Sequence, residues 1–153
     1  MLKESIVINR APEEIFEWLS HFAENYRSWH PDHITAQWIK GKNFETGSVL
    51  YTEEYIGKSI EKLRFKTTKL LPNQLIEYKL LFPESLICSG GSFRIEPQNG
   101  SSIFTATLSF RFEIILSKIF TSKLREIRNH MKEEGENLKK ILEVNTDVLN
   151  KRQ

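Results

Sequence analysis

The spacing of apolar residues changes three times along the chain, and the changes divide it into a strand, a short helix, a run of strands and a long helix. Leu2 to Ile8 is rich in β-branched residues and reads as a strand. Pro12, Glu13 and Glu14 then give a proline in a first turn with acids beside a helix N-terminus. Ile15, Phe16, Leu19 and Phe22 supply the apolar face of that helix, with a second turn near Glu24 to Arg27. From His33 to Phe112 the texture is that of strands: Ile34–Lys40, Val49–Ile56, Ile60–Leu70, Leu75–Phe82, Leu86–Ile95 and Ile103–Phe112. Turn residues separate them at Gly41–Gly47, Gly57-Lys58, Pro72-Asn73, Pro83-Glu84 and Pro97–Gly100. Phe104, Ala106, Leu108, Phe110 and Phe112 fall on one face of a strand, and Ile76, Tyr78, Leu80 and Phe82 on one face of another. Period-two alternation with short turns predicts an antiparallel meander with one covered face. Gly90-Gly91 inside a strand predicts a bulge that curves the sheet.

From about Ser117 the period becomes helical. Phe120, Leu124, Ile127, Met131, Leu138, Ile141, Leu142 and Leu149 recur at spacings of three and four and share an arc of roughly 100°. The expectation is an α+β domain spanning residues 1–153, in which this helix lays its apolar stripe across a bent antiparallel sheet. A cavity between the two would take an apolar ligand.

Composition narrows the classes. The 22 basic and 20 acidic residues are spread along the chain with no basic stripe, which argues against a nucleic-acid partner. No apolar run approaches the length of a membrane span, and the N-terminus lacks the apolar core of a signal peptide. Cys88 is the only cysteine, which excludes an intrachain disulfide and fits a reducing, cytoplasmic setting. Its plainest role is that of a small buried apolar residue. The aromatic supply (10 Phe, 4 Tyr, 3 Trp) is generous enough to line a cavity as well as a core.

The long helix carries one anomaly. Glu134 falls inside the apolar arc, between Ile141 and Ile127, and His130 lies one turn before it at the edge of the arc. An ionised carboxylate facing a core is unfavourable unless it is paired or binds a metal. His and Glu at i and i+4 are neighbours on a helix and can hold one ion. Such a pair is also a common accident, and Glu134 could instead reach a cavity mouth or pair with Lys123, Arg128 or an arginine of the sheet. Two other segments carry similar chemistry. Ser28-Trp29-His30-Pro31-Asp32-His33 places two histidines in a proline-containing loop, and Tyr51-Thr52-Glu53-Glu54-Tyr55 puts adjacent acids in an apolar strand. One of the two glutamates must point inward, whichever face is covered. A cup could gather His33, Glu53 or Glu54, His130 and Glu134, a set that suits zinc better than calcium.

The opening strand followed by Ala11-Pro12-Glu13-Glu14-Ile15-Phe16, the Trp29-His30-Pro31 segment and the long terminal helix resemble the START/polyketide-cyclase (SRPBCC) superfamily along essentially the whole chain. That resemblance implies the helix-grip fold, with six or seven strands wrapped around the C-terminal helix. A narrower resemblance lies in Tyr26–His33, in Glu54-Tyr55-Ile56-Gly57 and in His130-Met131-Lys132-Glu133-Glu134-Gly135. These are similar to the motifs of the diacetylphloroglucinol and phloretin hydrolases, which cleave an acyl group from a phenolic ring with zinc. The similarity implies His33, Glu54, His130 and Glu134 as metal ligands, with Glu53 competing for the strand position and His30 for the loop position. It implies a metal-dependent hydrolase of a small aromatic or polyketide-like ketone, with His30 or Tyr26 moving a proton. This chain is much shorter than those hydrolases and lacks their additional N-terminal region. The alternatives are a carrier of a hydrophobic small molecule, or a metal-free cyclase using the same histidine and glutamate as acid and base.

Overall fold

The computed structural model describes the backbone of residues 1–150 and the side chains of residues 1–144. Strand β1 (Leu2–Ile8) leads into helices α1 (Pro12–Ser20) and α2 (Phe22–Trp29). Six strands follow: β2 (His33–Lys40), β3 (Val49–Ile56), β4 (Ser59–Leu71), β5 (Leu75–Leu80), β6 (Cys88–Gln98) and β7 (Ser101–Phe110). A short helix α3 (Phe112–Leu116) precedes the long helix α4 (Thr121–Asn150). The sheet order is β1-β7-β6-β5-β4-β3-β2, with every neighbour antiparallel, so β2 to β7 form a meander and β1 closes on β7. This is the curved sheet gripped by a long helix that the sequence leads one to expect.

Local chemistry sets the ends of these elements. Pro12 opens α1, and the Glu14 carboxylate accepts the Ala11 N–H at 3.0 Å, satisfying a donor that the helix itself cannot. In β6 the register shifts between Cys88 and Gly90, the expected bulge. A Cβ at Gly90 would lie 2.2 Å from the Tyr78 carbonyl oxygen, and one at Gly91 2.2 Å from that of Thr107. Glycine therefore lets three strands approach where the sheet bends.

The core lies where α1, α2 and α4 meet the concave face, around Ile8, Leu19, Trp29, Ile76, Phe104 and Leu138. Met131, Leu138 and Leu142 are buried as the stripe on α4 requires, whereas Leu149 lies outside the described side chains. α4 packs on β1 at Gly135, where even a Cβ would meet Ile6 only in ordinary contact at 3.4 Å.

Some boundaries differ from expectation. β7 ends at Phe110, and Phe112 opens α3 with 70% of its surface exposed instead of extending the apolar face of the strand. Phe82 lies beyond β5 and is 69% exposed. Leu86 belongs to a 3-10 turn at Glu84–Leu86 and not to β6. That strand instead runs through Pro97 to Gln98, so the turn is confined to Asn99-Gly100. Between Ser117 and α4 the chain makes a 3-10 turn, Lys118–Phe120. Phe82, Leu86 and Phe112 belong to apolar runs that read as strand from their composition, yet the chain leaves the sheet at each of them.

Candidate functional site

A cavity of about 250 Å³ lies between α4 and the concave face of the sheet. Its walls are largely aromatic and aliphatic, including Phe65, Tyr78, Phe93, Leu108, Ile127 and Met131. Glu54, His130 and Glu134 interrupt this apolar surface on one side.

Three elements bring four side chains together there. His33 is the first residue of β2 and pairs across the ladder with Glu54 near the end of β3. His130 and Glu134 come from α4. His33 Nε2 is 2.8 Å from Glu134 Oε1 and 3.5 Å from Glu54 Oε2. His130 Nε2 is 2.9 Å from Glu54 Oε2 and 3.3 Å from Glu134 Oε1, and the two Nε2 atoms are 3.3 Å apart. His33 and His130 are buried, and the Glu54 and Glu134 side chains are 13% and 16% exposed.

The protonation logic of this cluster is constrained by its surroundings. His33 Nδ1 is 2.8 Å from the Tyr26 carbonyl oxygen, which can only accept, so that nitrogen carries a proton. In a neutral imidazole Nε2 then presents a lone pair, and it presents it to a carboxylate oxygen at 2.8 Å. This lone pair, a second imidazole and two carboxylates facing one point are held together by added protons or by a cation. With protons alone, burial works against an imidazolium at His130, but hydrogen bonds from Glu134 and Glu54 outweigh it and raise its pKa to about 10. Burial likewise works against the Glu134 carboxylate, and hydrogen bonds from His130 and His33 outweigh it, lowering the pKa to about 2.

The same atoms fit a divalent ion. Donor atoms around a tetrahedral zinc with bonds of about 2.0–2.2 Å lie roughly 3.3 Å apart. Five of the edges of this cage run from 2.8 to 3.5 Å, and all four donor atoms lie within 4.8 Å of one another. Two imidazoles and two carboxylates suit zinc or a neighbouring transition ion.

Of the competing residues, Glu53 lies away from the cage, whereas His30 stays near it: nitrogens of His30, His33 and His130 also lie within 4.8 Å of one another. Glu53 points to the other face of β3, where it accepts the Tyr51 hydroxyl at 2.5 Å and stands 3.8 Å from Lys62. His30 is 3% exposed, but its ring nitrogens are engaged elsewhere: Nδ1 accepts the Asp32 N–H at 3.0 Å and Nε2–H donates to Glu133 at 2.8 Å. Its ring packs 4.2 Å from that of His130, so it lies behind the cage and does not line the cavity. Tyr26 does line the cavity, stacked on His33 at 3.9 Å with an interplanar angle of 6°. Burial, followed by the charges of Glu54 and Glu134, pushes its phenol pKa well up. Trp29 has a role that sequence reasoning missed. Its indole N–H donates to the Glu134 carbonyl at 2.9 Å while Asn137 returns a bond to the Trp29 carbonyl at 3.0 Å, fixing α2 against the turn of α4 that carries Glu134. The spacing of Asn137, two turns after His130, is the only trace of this in the sequence.

A long helix closing a curved meander over an apolar cavity defines an α+β ligand-binding class. Within it, the chain belongs to the polyketide cyclase/dehydrase and lipid transport family, whose pattern matches residues 2–143. No curated protein matches the chain significantly. Among solved structures it is similar to the Zhui aromatase/cyclase from Streptomyces sp. R1128, at 11% identity over 93% of this chain and 92% of that one, with a TM-score of 0.71. It is similar to norcoclaurine synthase from Thalictrum flavum in complex with dopamine and hydroxybenzaldehyde, at 10% identity, 92% and 84% coverage and a TM-score of 0.69. The Aha1 dimer from Colwellia psychrerythraea is 21% identical over 94% and 96% of the two chains, with a TM-score of 0.68. At these identities the likeness is one of fold. The narrower hydrolase resemblance of the motifs has no counterpart among these relatives. No helix among the described residues is long and apolar enough to cross a membrane.

Proposed function

We propose that this protein binds a divalent metal ion, zinc foremost, through His33, Glu54, His130 and Glu134, and hydrolyses a small aromatic or polyketide-like ketone in the adjoining cavity. The observation that carries this is the meeting of His33 Nε2, whose proton is committed to Nδ1, with a carboxylate at 2.8 Å inside a four-donor cage. The motif resemblance to acyl-phenol hydrolases supports the reaction type. The family, together with structural relatives that include an aromatase/cyclase and an enzyme complexed with small aromatics, supports the ligand class.

A bound ion would polarise a ketone oxygen and acidify a water molecule near neutral pH. Catalysis needs an open position, so one of the two glutamates must hold the ion weakly. The chain supplies the remainder. The apolar walls orient the ring and exclude bulk water. Tyr26 faces the cavity and keeps its proton, so it would act as a relay, taking up the proton given up by the attacking water as it passes its own to the ring carbon released when the acyl bond breaks. His30 serves as a positioning residue that packs behind His130.

Elemental analysis of protein purified without added metal tests the cage. About one zinc per chain is expected, lost in His130→Ala and Glu134→Ala. Absence of metal, with stability unchanged by chelator, would sink the proposal. Release of a carboxylic acid from phloretin, abolished by chelator and restored by zinc, tests the reaction.

A further inference from the structure

Fourteen large hydrophobic side chains are exposed among the described residues, and seven of them lie in two short segments. Phe82, Leu86 and Ile87 belong to the loop between β5 and β6. Phe112, Ile115, Leu116 and Ile119 belong to α3 and the 3-10 turn that follows it. The two segments are neighbours. Phe110 pairs with Cys88, and the Arg111 N–H then donates to the Ile87 carbonyl at 3.1 Å while its Nε–H donates to the Ser85 carbonyl at 3.3 Å. Past Arg111 the backbone bonds stay local, from Ile115 to Arg111, from Ser117 to Ile114 and from Phe120 to Ser117. Single exposed apolar residues are ordinary, but several on adjoining segments mark an interaction surface.

Charge narrows what covers it. Residues 111–128 carry five cations, Arg111, Lys118, Lys123, Arg125 and Arg128, against Glu113 and Glu126. The loop adds only Glu84, so five cations and three acids leave +2, equal to the net charge of the whole chain. Lys123 pairs with Glu61 and Arg128 with Glu4, while Arg111, Lys118 and Arg125 meet no carboxylate among the described residues. A second copy related by a twofold axis would set these cations against themselves. An anionic lipid surface accepts both features, the apolar side chains at the acyl boundary and the cations at the headgroups. Ile87 is exposed in this patch and also lines the cavity, as does Phe120. What covers the patch therefore lies against the cavity wall, and a bilayer is where an apolar ligand concentrates.

We propose that α3, the turn after it and the β5–β6 loop dock this protein on an anionic membrane surface. Phe112, Leu116 and Ile119 enter the boundary between headgroups and acyl chains, and Lys118 and Arg125 bind the headgroup phosphates. The docking is peripheral, and it is independent of the metal cage and of the reaction proposed for it.

Vesicle flotation tests this, with phosphatidylcholine alone and with about 30% phosphatidylserine added. The native protein should float with the anionic vesicles and at least about 10-fold less with the neutral ones, in chelator as without it. Lys118→Glu combined with Arg125→Glu should abolish that preference. Leu116→Ser combined with Ile119→Ser should weaken binding to the anionic vesicles at least about 10-fold. The serine pair should leave the Tm unchanged, since these side chains are 66% and 88% exposed. Absence of flotation with either vesicle overturns the proposal. So does binding that the serine pair leaves intact, which would be adsorption by charge alone. A chain that elutes as a dimer, dissociated by the serine pair, assigns the patch to a second copy and overturns it as well. None of these outcomes touches the cage, whose metal content is read separately.

Discussion

Removing divalent metal with a chelator should leave a chain whose stability peaks between about pH 4.5 and 6.5 and falls on either side. The limits follow from the cage itself. Glu134 is lowered from 4.5 to about 2, so its contribution is complete above 4.5 and is lost as the pH falls through 2. His130 is raised from 6.5 to about 10, so its contribution is complete below 6.5 and is lost as the pH rises through 10. At about 1.4 kcal/mol for each tenfold change in proton affinity, the Glu134 shift is worth about 3 kcal/mol. The rise at His130 is largely the same contact seen from the other partner and is counted once. For a chain of this length, about 3 kcal/mol corresponds to roughly 6–12 °C in Tm. Thermal melts in chelator at pH 5.5 and 9.5 would show most of that difference. Glu134→Gln should lower the plateau by about 3 kcal/mol, as breaking a buried pair does, and flatten the alkaline limb. Zinc should reverse that limb, because ligation requires unprotonated imidazoles and strengthens as the pH rises from 6 to 8. A flat metal-free profile from pH 5.5 to 9.5, or one that Glu134→Gln leaves unaltered, would refute the reasoning.

Three further outcomes can be checked directly. Glu54→Gln should lower zinc content severely, while Glu53→Gln should retain it and change stability by less than about 1 kcal/mol, since Glu53 makes only part-exposed contacts with Tyr51 and Lys62. Trp29→Phe should cost about 1–3 kcal/mol in denaturant melts through the lost bond to the Glu134 carbonyl and should loosen zinc retention, whereas full retention of both would show that the α2–α4 tie is dispensable. Gly91→Ala should destabilise by about 2 kcal/mol or more, because its Cβ meets the Thr107 carbonyl at 2.2 Å and the Tyr78 hydroxyl at 2.7 Å.

What the sequence discloses here depends on how local the determinant is. The stripe of α4 and the break in it at Glu134 are readable because a helix fixes its own faces, and the structure places Glu134 inward beside His130. The choice between Glu53 and Glu54 is not readable, since alternation states only that one of them points inward. The answer lies in the pairing of His33 with Glu54, across a register shift between His33 and Thr35. His30 and His33 are equally buried and equally near, and they are told apart only by which partners meet their ring nitrogens. Phe82 and Phe112 misread as strand because an exposed apolar residue just past a strand continues its alternation as well as a buried one does.

The four cage residues sit on β2, β3 and α4, whose positions are fixed by ladder and helix hydrogen bonds, while Glu84 sits on the turn at Glu84–Leu86. The proposed metal cage and this stretch of cavity wall thus lie on parts of the chain with different tolerance to change. Insertions or substitutions between Leu81 and Ile87 can reshape one wall without moving a ligand by a fraction of an ångström. A library confined to that turn should therefore yield variants with new ligand preferences and native metal content, an evolvable boundary set against a rigid frame.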